Sequence, residues 1–253
     1  MDLVEQSFAG YSDLREGLAT ALPDVISINL PYDSDIPIAL VCLRDCQTAI
    51  GQCLYASRQY CIQGRAHREC PEPSLMMAAW VERFYLEDTA MRLYSAAEHV
   101  ALGVACLMQI TESELTVIKA TSLWERVRKS LRARSASGPI PDIMNSLRRS
   151  SAWKFAMAYR GRVVHNEPPR LAGLGIQYER RRRWQRAPDG SMTLQIMAHG
   201  DSPRHSTDDV RLKLLEACEA FIPVALAVMA EITSQLEEAG VVFVAPGKIS
   251  VRL

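Results

Sequence analysis

The chain has no GxSxG elbow, no Walker A loop, no GxGxxG fingerprint and no HExxH pair. Their absence removes the commonest serine-hydrolase, phosphate-loop, dinucleotide and zinc-protease signatures. There is no CxxC pair either. The seven cysteines are an odd number without a disulfide-like rhythm, which points to a reducing cytoplasm. Long apolar runs are missing: the longest, Val100 to Met108, is about half of what a bilayer crossing needs, so no membrane association is expected. The opening residues, Met-Asp-Leu-Val-Glu-Gln, are acidic and lack the apolar centre of a signal peptide. Lysine is scarce, with arginine supplying 24 of the 29 cations.

What remains is 253 residues of ordinary globular composition, 48% hydrophobic and 23% charged. The net charge is zero, but it is unevenly distributed. Between Lys119 and Arg186 stand 17 Lys/Arg against 4 acids, a local charge of +13, balanced by −13 elsewhere. A segment this basic suggests an anionic partner, RNA or DNA phosphate being the commonest. The plainer alternative is that acidic flanks fold over it and cancel the field.

Periodicity predicts a mainly α protein. Residues 1–35 form a mixed N-terminal segment. Ile38, Val41, Cys42, Cys46, Ala49, Ile50, Cys53 and Leu54 recur at three and four, predicting a helix from Ile36 to about Ile62, broken by Gly64. Ser74 reads as the N-cap of a long helix through Trp80, Phe84, Met91, Tyr94 and Leu102 to about Ile110. A further helix is expected from Leu115 to about Arg134. Another carries Ile143, Met144, Leu147, Phe155 and Val163 until Pro168-Pro169 stops it. Residues 174–198 alternate around Asp189-Gly190 and read as a β-hairpin. Thr207-Asp208-Asp209 caps a final helix ending near Gly240, and 241–253 is a tail with short strand-like runs. The expected object is a helical bundle over 36–240 with a hairpin inserted before its last helix.

Five histidines narrow the search for chemistry. His165 ends an amphipathic helix in the stretch Tyr159-Arg160-Gly161-Arg162-Val163-Val164-His165-Asn166-Glu167. Imidazole titrates near neutrality, so it can take a proton and return it. Guanidinium suits a phosphate whose charge grows during reaction. With this much arginine, an Arg shortly before some His is expected about once by chance, and Arg92 with His99 is a second instance. The 160–165 pair differs in lying inside the +13 segment.

The Arg160-x(4)-His165 pattern resembles the Arg-x(4–6)-His signature of the HEPN superfamily (higher eukaryotes and prokaryotes nucleotide-binding). The stretch Phe84 to His99 is similar to the long second helix of stand-alone bacterial members. The resemblance covers about residues 36–165 and the last helix. It implies a HEPN-like helical bundle, a homodimer, and a metal-independent endoribonuclease of the kind used in toxin–antitoxin and phage-defence systems. No cofactor and no metal are implied. RNA is the implied partner, with an antitoxin or defence-system protein as a further one. Carried over, Arg160 and His165 are the catalytic pair. Two positions depart from the pattern: Gly161 stands where a polar residue, often Asn, follows the arginine, and Glu167 where some members carry a modifiable tyrosine. Some members of the superfamily are inactive and serve as binding or dimerisation modules, so a non-catalytic nucleic-acid-binding role is the alternative.

Other residues complete the candidate set. Asp88, Glu98 and Asn166 are candidates to orient or support the pair. Arg162 adds a cation beside it. Arg180, Arg181, Arg182 and Arg183 with Trp184 read either as a nucleic-acid arm, with Trp184 stacking on a base, or as a solvated ribbon. Cys42, Cys46 and Cys53, with Cys61, His67 and Cys70 after them, invite a zinc reading, but buried small thiols explain them better. Trp153, Phe155, Met157 and Tyr159 give their helix more apolar width than a surface helix needs, and so suggest a dimer axis there.

Overall fold

The computed structural model describes residues 35–70, 74–164, 171, 178–186, 189–200, 205–238, 241–245 and 248–251, together with Ser12. Of 178–185, 193–200, 241–245 and 248–251, and of Leu75 and Leu236, only the backbone is described.

The bundle is built on an antiparallel pair of 33-residue helices, α1 (Ile36–Arg68) and α2 (Leu75–Leu107). Ser74 caps α2 as expected, its hydroxyl accepting from the Met77 amide at 3.2 Å. The two helices approach closely because their facing residues are small. Gly103 lies against Ala39 and Cys42 at one end, and the buried stripe of α2 runs through Ala79, Leu86, Ala90, Leu93, Ala97, Val100 and Val104. Trp80, Phe84 and Leu102 are 54%, 64% and 43% exposed, since an alanine-lined seam has no room for them. The core thiols Cys42, Cys46 and Cys53 behave as small hydrophobes; burial pushes the Cys42 thiol up to about 11.

Gly64 does not end α1, which continues to Arg68. Its role is close approach. A Cβ there would stand 2.5 Å from Oε1 of the buried Glu82 and 3.0 and 3.1 Å from its Cγ and Cδ. Ordinarily Gly→Ala inside a helix gains about 1 kcal/mol. Here Gly64→Ala is expected to lose about 1–3 kcal/mol net, read as a lower urea midpoint at unchanged slope. An equal or higher midpoint would show that the seam yields.

Two helices expected as single runs are each divided. Residues 112–133 form α3 (Glu112–Val117) and α4 (Leu123–Ala133), because Ile118 turns extended and Ser122 caps the restart at 3.2 Å from the Glu125 amide. Residues 139–164 form α5 (Pro139–Arg149) and α6 (Ser151–Val164). At Ser150 ψ opens to 129°, and its hydroxyl accepts from the Trp153 amide at 3.3 Å. Serine competes well with the helix for backbone donors, which periodicity of apolar residues does not register. The chain then passes through two antiparallel segments, β1 (Tyr178–Arg186) and β2 (Met192–Gly200), with Gly190 at φ 83° between them.

The last helix, α7 (Thr207–Glu238), packs on α1, α2, α5 and α6. Its cap is Ser206, not Thr207: Ser206 and Asp209 exchange hydrogen bonds at 3.0 and 3.1 Å. Thr207 instead points into the bundle. After α7 the backbone pairs as β3 (Val241–Ala245) with β4 (Lys248–Val251). Trp124, Trp153 and Phe221 form an aromatic cluster with centroids 5.6–5.9 Å apart, locking α4, α6 and α7 together. Among the described residues no helix is long and apolar enough to cross a membrane.

Candidate functional site

The helix carrying Arg160 has two working faces. Trp153, Ala156 and Tyr159 enter the core, while Lys154, Met157, Arg160 and Gly161 border a cleft of about 550 Å³. The far wall comes from Tyr94 and Glu98 of α2 and from the start of α4, where Ser122 and Trp124 stand. Arg148, in the last turn of α5, closes one side.

Arg160 is held by stacking. Its guanidinium carbon lies 3.8 Å from the centroid of the Tyr94 ring, close enough for cation–π attraction. Its Nε is buried and, among the described residues, has no hydrogen-bond partner. Burial raises the Tyr94 hydroxyl above its ordinary value; the Glu98 carboxylate adds to this and the Arg160 charge opposes it.

Glu98 does a different job from the one expected of it. Its two oxygens accept from the Leu123 and Trp124 amides at 3.0 and 3.2 Å, so it caps α4 and steadies the cleft wall. It shares the cleft with Arg160, yet no Glu98–Arg160 ion pair occurs among the described residues. Glu125 is also committed, pairing with the buried Arg128 at 2.9 Å. Asp88 pairs along its own helix with Arg92 at 3.1 Å and does not border the cleft.

Arg162 is exposed on α6. His165 and Asn166 lie outside the described residues. Arg180, Arg181, Arg182, Arg183 and Trp184 belong to the β1 backbone, opposite Ala198, Met197, Ile196, Gln195 and Leu194 respectively, with their side chains outside the description. The apolar width of α6 is used within one chain. Trp153 and Tyr159 are buried, and Phe155 and Met157 pack on the same core, so the width itself gives no argument for a dimer axis.

Sequence reasoning missed Tyr94 as a partner of Arg160, and it passed over Arg148 and Lys154. A signal existed for the lysine: it precedes Gly161 by seven residues, two turns along one helix face. No family profile matches the chain, and no curated protein or solved structure shows significant similarity to it.

Proposed function

We propose that this chain is a HEPN-type, metal-independent endoribonuclease whose catalytic pair is Arg160, which borders the α6 cleft, and His165. The observation that carries the reading is Arg160 itself: an arginine stacked on Tyr94, with an Nε that no described residue partners, in a cleft whose two carboxylates are engaged elsewhere. In the reaction His165 assists removal of the 2′-OH proton; the 2′ oxygen attacks phosphorus and the P–O5′ bond breaks. Arg160 stabilises the charge that accumulates on the non-bridging oxygens. The products are a 2′,3′-cyclic phosphate and a 5′-hydroxyl. On this reading the helical bundle carries the 174–198 hairpin as an insertion, and Arg180–Arg183 add sequence-independent phosphate contacts. The working unit is a homodimer, because one His serves poorly for both deprotonation and leaving-group protonation while two copies supply both. A toxin or phage-defence setting, with a regulatory protein partner, follows from the resemblance.

A second reading has one observation in its favour. Gly161 borders the cleft, and a Cβ there would meet nothing within 4 Å among the described residues. Space for a polar side chain is present and unused, as in a binding or dimerisation module that has lost catalysis. Purified full-length protein incubated with single-stranded RNA in EDTA separates the two. Cleavage with cyclic phosphate ends is the expected result. Cleavage that EDTA abolishes, or RNA bound and left intact, rejects the metal-independent endoribonuclease.

A further inference from the structure

Three cations border the cleft, and Arg160 accounts for only one of them. Arg148 and Lys154 are exposed, and among the described residues neither takes part in an ion pair. The two carboxylates that share the cleft are not available to them. Glu98 is bound to the α4 amides and Glu125 to Arg128. The cleft therefore carries cations that its own carboxylates do not pair with.

Helix electrostatics explains one of these cations and leaves the other unexplained. Arg148 sits in the last turn of α5, where a cation is favoured. Lys154 sits near the start of α6, where the macrodipole disfavours it. A cation in that place is stabilised when an anion lies beside it. Lys154 and Arg160 are six residues apart on one helix, so about 9 Å separates them along its axis. That axial offset leaves room for the next phosphate of an extended strand beside the one at Arg160.

We propose that Arg148 and Lys154 form a second phosphate subsite, one nucleotide along from the bond held at Arg160, so that the cleft selects a single strand with a flanking phosphate. The subsite rests on the endoribonuclease reading for the position of the reacting bond, but its affinity is measurable without cleavage. The strand runs along α6, with Lys154 contacting the flanking phosphate from the helix and Arg148 from the end of α5. Contacts of this kind carry no base information and so set length and strandedness, not sequence.

The test uses the full chain and the double variant Arg148→Gln/Lys154→Gln. Both side chains are exposed, and a circular dichroism melt controls for folding. Binding is measured by anisotropy on a fluorescent 2′-O-methyl oligonucleotide, which resists cleavage, across a range of salt. One phosphate contact fewer flattens the slope of log K against log salt by about 0.7. Cleavage is compared on a dinucleotide with and without a terminal phosphate. The wild-type protein is expected to favour the phosphorylated form by at least about tenfold in kcat/KM, and the variant to bring that ratio near one. A flattened slope with a lost preference supports the subsite. A flattened slope with no cleavage by the wild type keeps the phosphate subsite and rejects the endoribonuclease. An unchanged slope with an unchanged preference overturns the subsite and leaves the endoribonuclease reading standing.

Discussion

His165→Ala is expected to lower RNA cleavage at least about 10²-fold, and Arg160→Gln by about 10²–10³-fold. The two losses have different causes. The imidazole supplies a proton acceptor or donor whose ordinary pKa lies near the working pH. The guanidinium supplies charge where charge develops, and Tyr94 holds it in place before the substrate arrives. Arg160→Lys is therefore informative. It keeps the charge but loses the flat face that stacks on Tyr94 and the fork that grips two oxygens. It should recover only part of the Gln variant's loss. Combining His165→Ala with Arg160→Gln should cost much less than the product of the single effects, as expected of residues that act on one transition state. Single-turnover cleavage in EDTA, with melting curves to confirm folding, measures all four. Undiminished activity in His165→Ala would remove the mechanism.

The periodic parts of the fold were legible in the sequence. The Ser74 cap, the long α2 and the last helix follow from residues whose local chemistry decides their conformation. The errors came from tertiary packing. Gly64 looked like a breaker because nothing local shows Glu82 pressed against it. Trp80 and Phe84 marked the course of α2, but which of its residues are buried was set by the α1–α2 seam, which selects alanine. The divided helices turned on Ser122 and Ser150, which act through backbone hydrogen bonds and leave the hydrophobic period almost unchanged. At the site, Arg160 stood out by its spacing from His165. Its stacking partner Tyr94 did not, since 66 residues separate the two and only the packing of α2 against α6 brings them together.

The buried polar cluster far from the cleft should be the most sensitive point for stability. Glu82 is 1% exposed on α2 and meets residues of two other helices. Arg68, at the end of α1, forms an ion pair with its Oε1, which has no other partner among the described residues. Thr207, at the start of α7, donates to Oε2 at 2.8 Å. The Tyr60 hydroxyl lies 2.8 Å from Thr207 Oγ1 and 3.0 Å from Asp208 Oδ1, and burial pushes that phenol up. Removing one member of such a cluster costs more than the cluster contributes, because a desolvated charge is left behind. Arg68→Met is expected to lose about 2–4 kcal/mol, at the lower side of buried pairs because Arg68 is itself 47% exposed and water partly replaces it. Adding Glu82→Ala removes the stranded charge, so the double variant should be more stable than Arg68→Met alone despite the lost contacts. Glu82→Ala also takes away the three atoms nearest to a Cβ at position 64. In that background Gly64→Ala should change from destabilising to neutral or stabilising, by up to about 1 kcal/mol of helix propensity. The measurement is a double-mutant cycle by urea unfolding, in which coupling between positions 64 and 82 is read directly. Additive effects at these two positions would mean that the seam, and not Glu82, limits what Gly64 can become.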